Sequence, residues 1–83
     1  MPTVAVVDGI QIRFYLREHP PPHFHAIFGE HRLAVEIETL RSLKGTFPVH
    51  KLKALLAWAE PRREKLFAAW YTAQKMQKPG RIE

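Results

Sequence analysis

Hydrophobic and polar positions alternate through the first half of the chain. From Ile10 to Leu16, Ile10, Ile12, Phe14 and Leu16 fall on one side and Gln11, Arg13 and Tyr15 on the other. That period of two is the signature of a half-buried strand. A β-branched run, Thr3 to Val7, precedes it, and Asp8-Gly9 between the two predicts a hairpin turn. From His23 to Phe28 the alternation returns, with Phe24, Ala26 and Phe28 opposite His23, His25 and Ile27. After a turn at Gly29-Glu30, Leu33, Val35 and Ile37 oppose Arg32, Ala34, Glu36 and Glu38, and a short run at Ser42 to Lys44 extends the sheet. From Pro48 the period becomes helical: Leu52, Leu55, Leu56 and Ala59 form one stripe, and Leu66, Phe67 and Trp70 a second in phase with it. Thr46 or Phe47 is the expected N-cap, and Pro61 between the stripes is expected to kink the helix or split it in two.

These elements predict an α+β fold: a four- or five-stranded antiparallel meander, with a C-terminal kinked helix or two abutting helices packed on one face. Residues 1–78 form the expected single domain, and 79–83, beginning at Pro79-Gly80, a mobile tail. The helices are expected to cover Ile12, Phe14, Phe24, Phe28, Leu33, Val35 and Ile37. The opposite face, carrying Gln11, Arg13, Tyr15, His23, His25, Arg32 and Glu36, is left for solvent or a partner.

At 83 residues the chain has room for one core. It has no cysteine, which excludes disulfides, thiolate metal sites and a cysteine nucleophile. A secreted domain of this size usually needs disulfide staples, so a cytoplasmic location is expected. No apolar run is long enough to span a membrane, and nothing calls for a cofactor. The net charge of +5 is unevenly spread: residues 1–40 hold three basic and five acidic side chains, residues 41–83 ten basic and three acidic. Such asymmetry suits an acidic partner, either RNA or an acidic protein, and equally suits a solvated helix surface.

The segment Glu18-His19-Pro20-Pro21-Pro22-His23-Phe24-His25 is the densest in chemistry. His23 and His25, two apart on a strand, share a face. Together they can serve as general acid and base for metal-independent RNA cleavage, since the 2′-hydroxyl supplies the nucleophile. Glu36 on the same face is the candidate to orient a histidine or act as the base. Arg13, Tyr15 and Arg32 are there to bind the nucleic acid, and Arg62-Arg63 beside Pro61 can add phosphate contacts. The same histidines can instead simply hydrogen-bond the proline loop. A metal would need a third ligand from His19, Glu18 or Glu36. Three prolines carry His19 roughly 12 Å from His23, at about 3.1 Å per residue, so no tightly bound structural metal is expected. Trp58, off the main stripe, is a candidate interface anchor.

Several motifs together resemble the bacterial domain-of-unknown-function family 4160. They are Met1-Pro2-Thr3, Gly9-Ile10-x-Ile12, His19-x-Pro21-Pro22-His23-Phe24-His25-Ala26, Gly29-Glu30, Leu43-x-Gly45-x-x-Pro48 and Trp58-x-x-x-Arg62-x-Glu64-x-Leu66-x-x-x-Trp70. Pro61 departs from the family pattern, in which the helix continues. The resemblance implies membership of a small two-gene module of toxin–antitoxin type, and assigns no catalytic residue. The function expected from residues and resemblance together is an RNA-binding component of such a module, with ribonuclease activity at His23 and His25. The alternative is a non-catalytic module that binds an acidic neighbouring protein.

Overall fold

The structure, a computed structural model, describes residues 3–83; Met1 and Pro2 of the opening motif lie outside the described residues. Five strands form one antiparallel meander in the order β1-β2-β3-β4-β5: β1 (Thr3–Val7), β2 (Ile10–Arg13), β3 (His23–Phe28), β4 (His31–Glu36) and β5 (Ser42–Gly45). Asp8 and Gly9 both have positive φ, the geometry of a two-residue turn whose twist matches the strands it joins. Two helices follow, α1 (Val49–Ala59) and α2 (Arg63–Gln74), joined without a loop by a single 3₁₀ turn, Glu60–Arg62. Pro61 sits in the first positions of that turn; it has no N–H to donate to Ala57 O, and the helix tightens there and does not break.

The alternation seen in the sequence is the burial pattern of the sheet. Register pairs Ile12 with Ala26, Phe24 with Val35 and Ala26 with Leu33 on one face. All of these are buried, together with Val4, Ile10, Phe14 and Ile37. The helices close this face with Leu55, Ala59, Leu66, Ala69, Trp70 and Ala73. Alanines at 59, 69 and 73 let the helix backbones approach the sheet while Leu55, Leu66 and Trp70 fill the space between. Phe28, expected in the core, lies at its margin, packed against it and beside His31 and Phe47.

One local expectation, the N-cap at Thr46 or Phe47, differs from the structure. Pro48 is the N-cap, with an extended ψ of 140° and no side-chain cap; its carbonyl accepts the first helical bond, from Leu52 N–H at 2.9 Å. The chain is already fixed for helix entry by the proline ring, so the Thr46 hydroxyl is not used. The C-terminal segment lies against the sheet edge. Ile82 N–H donates to Val4 O at 2.8 Å, and the Ile82 side chain packs against the core. An edge strand with free carbonyls and a nearby apolar side chain give that tail somewhere to bind.

Candidate functional site

The outer face of the sheet is built by the same registers. Arg13, His25, Ala34 and Lys44 form one row across β2 to β5, and Gln11, Ile27 and Arg32 form the next. Tyr15 follows β2, and its ring lies against that of His25, centroids 4.3 Å apart. A shallow cavity of about 330 Å³ opens here, lined by Tyr15, His25, Ile27, Arg32, Ala34 and Lys44.

At the start of β3 the two histidines meet a carboxylate. His25 Nε2 stands 2.6 Å from Glu18 Oε1, and His23 Nε2 stands 3.3 Å from Glu18 Oε2. The imidazole rings meet edge to face, 5.1 Å between centroids. His23 is buried against Trp70 of α2, with ring centroids 5.0 Å apart, and His23 Nδ1 donates to Pro21 O at 2.8 Å. His25 titrates below its ordinary value of 6.5. Desolvation is the larger cause and the charge of His23 acts the same way; both outweigh the opposing hydrogen bond and charge of Glu18.

Glu18 reaches this place because the proline segment folds back. Arg17 takes a positive φ of 56°, Gln74 at the end of α2 donates to Glu18 O at 2.9 Å, and Ile37 N–H donates to Pro22 O at 3.0 Å. The sequence named Glu18 only as one of three possible third ligands. The structure brings it to the histidines and leaves His19 out of the cluster. The extended-chain distance that argued against a metal therefore bears on His19 and not on the carboxylate next to it. Glu36, the expected base, is Cα-paired with His23, but its carboxylate accepts from Thr39 Oγ1 at 2.5 Å in the β4–β5 turn. The turn draws Glu36 away from the histidines, because Leu40 N–H and the Thr39 hydroxyl both close on residue 36.

The expected nucleic-acid contacts divide in the same manner. Arg32 and Tyr15 line the cavity, with Lys44 added by β5. Arg13 lies in the row beside His25, and its guanidinium is held by Gln11 Oε1. Arg62 and Arg63 belong to the helical layer and are engaged within the chain. Arg62 donates to Trp58 O at 2.7 Å and to Glu83 O at 3.1 Å and lies over the Trp58 ring, while Arg63 pairs with Glu60 at 3.3 Å. Trp58, read as a possible anchor, is half-buried beneath Arg62. Lys44 was missed as a site residue; its place after Leu43 in a β-type run was the available signal.

The class is thus a small α+β domain, a five-stranded meander backed by one jointed helix, with a His–His–Glu cluster beside a basic cavity. The chain belongs to the family described as a domain of unknown function, DUF4160, whose family model matches residues 9–71. No curated protein and no solved structure matches it significantly. Among the described residues, no helix is long and apolar enough to cross a membrane.

Proposed function

We propose that this chain is an RNA-binding module that takes single-stranded RNA on the outer face of its sheet. The observation that carries this is the cavity beside His25, where an aromatic ring, Tyr15, stands with two cations, Arg32 and Lys44. Among the described residues, neither cation is held in an ion pair. Free cations track phosphates while a phenol ring stacks on a base without regard to its identity, and Ile27 and Ala34 supply an apolar floor. Of the basic surplus after position 40, Lys44 is the residue that reaches this cavity, while Lys51 to Arg81 lie on the helices and tail. The toxin–antitoxin-type module and the cytoplasmic location belong to this reading.

Fluorescence anisotropy with a labelled single-stranded RNA oligomer tests it. Binding should weaken with salt, and each of Arg32→Ala and Lys44→Ala should flatten the log–log salt slope by about 0.7. Tyr15→Ala should weaken binding by about ten-fold, at the low end of base stacking on an aromatic ring. Arg62→Ala and Arg63→Ala should leave the slope unchanged, since those guanidiniums are committed within the chain. Affinity indifferent to all three cavity substitutions refutes the reading, and saturation by polyglutamate but not by RNA turns it to an acidic protein partner. An end label on the same oligomer reads scission; cleavage that requires His25 extends the module to a ribonuclease.

A further inference from the structure

We infer that Glu18, His23 and His25 form a binding site for one divalent transition-metal ion of the zinc class. Their ligand atoms lie within 4.8 Å of one another, on a partly buried shelf where two imidazoles and one carboxylate converge. Ligand atoms on a tetrahedral zinc ion stand about 3.3 Å apart, from bonds of about 2.0–2.2 Å. The 3.3 Å contact from Glu18 to His23 matches that spacing, while the 2.6 Å contact to His25 is a hydrogen bond that an ion would replace. Binding an ion requires the His25–Glu18 hydrogen bond to open and the three ligand atoms to come within bonding distance of it.

The hydrogen bonding of His23 also suits a metal ligand. The carbonyl of Pro21 can only accept, so His23 Nδ1 carries the proton in that 2.8 Å contact. Nε2, the other ring nitrogen, faces the Glu18 carboxylate at 3.3 Å. A proton or a metal ion can stand between that nitrogen and the carboxylate. The Nδ1–H to backbone-carbonyl bond is also the partner that fixes the tautomer of a metal-bound histidine. Trp70 against one side of His23 and Gln74 on the Glu18 carbonyl hold the ligands from behind. Two imidazoles and a carboxylate suit zinc, nickel or cobalt better than calcium or magnesium, which take all-oxygen shells. Three protein ligands leave a fourth position for water or an oxygen of a bound molecule. The inference does not depend on RNA binding.

The test uses untagged protein freed of metal with a chelator and titrated with Zn²⁺ by calorimetry. One equivalent should bind saturably, and Ni²⁺ should quench Trp70, whose ring centroid is 5.0 Å from that of His23. His25→Gln and Glu18→Gln should each weaken binding by about 10–100-fold or more, with the far-ultraviolet circular dichroism unchanged. His50→Gln and His31→Gln should leave it intact. Glu18→Gln keeps the shape of the side chain, so it decides the matter if His25→Gln fails to fold. Absence of a saturable one-equivalent site, or a site that survives Glu18→Gln, overturns the inference.

Discussion

Gly45, the last residue of β5, gives the sharpest prediction for the sheet. It has a φ of +94°, and a Cβ built there would stand 2.0 Å from Arg32 O, 3.0 Å from Arg32 C and 3.3 Å from Leu33 Cα. All three are backbone atoms of β4, so no side-chain rotation relieves the contact. Two costs add in Gly45→Ala. Holding an L-residue at positive φ costs about 1–2 kcal/mol. Moving β5 off β4 loosens the ladder that pairs Leu33 with Gly45 and Ala34 with Lys44, worth about 1 kcal/mol for each hydrogen bond lost. The sum is about 3–4 kcal/mol. At about 4–8 °C per kcal/mol for a domain of this size, Tm should fall by about 12–30 °C. Gly29 is the matched comparison: its φ is +58°, and an added Cβ meets nothing within 4 Å. Gly29→Ala should therefore show the dihedral cost alone, about 1–2 kcal/mol. Thermal and urea unfolding of the two variants side by side measures the difference, which is the cost of the close approach. If Gly45→Ala is no more destabilising than Gly29→Ala, the tight β4–β5 approach is wrong. Because β5 carries Lys44 into the outer cavity, Gly45→Ala should also lower RNA affinity at temperatures where the protein stays folded.

Three further outcomes follow from the core, the histidines and the tail. Phe24, fully buried on the central strand against the helices, should cost about 3–5 kcal/mol when replaced by alanine, read as a lower urea midpoint with an unchanged slope. His25 has a folded-state value below the ordinary 6.5, so the unfolded chain binds the extra proton first as pH falls. In metal-free protein its contribution is complete above about pH 6.5 and is lost as pH drops through the lower folded value. Glu18, His23, Tyr15 and Arg13 are the ionisable neighbours. Urea midpoints at pH 7.5 and 5.5 should fall less in His25→Gln than in the parent, and equal falls would contradict the assignment. Ile82→Ala should expose the β1 edge at Val4 O and cost about 1–2 kcal/mol, seen as faster hydrogen exchange along β1 if the tail is docked as described.

Strands β1 to β4 were legible because a strand's two faces are set by parity alone, while Leu16, past the end of β2 at Arg13, is exposed where the alternation buried it. Once Ile10, Ile12 and Phe24 must be buried, Gln11, Arg13 and His25 have no choice of side, and the Asp8-Gly9 turn fixes the first register. The helical stripes on either side of Pro61 were legible for the same reason, since a continuous phase is compatible with a tightened turn but not with a hairpin. Parity also placed His23 and His25 together. It could not select their carboxylate, because Glu18 and Glu36 were each candidates and the choice lies outside any repeat. Glu18 is brought in by a loop whose fold-back depends on Gln74, 56 residues later, while Glu36 is captured three residues on by Thr39. The fate of Arg62 was hidden in the same way, since its partners include the carbonyl of Glu83. Local periodicity determines which face a side chain occupies; which neighbour it meets there depends on contacts between distant segments, and those exist only once the sheet, the jointed helix and the proline loop have packed together.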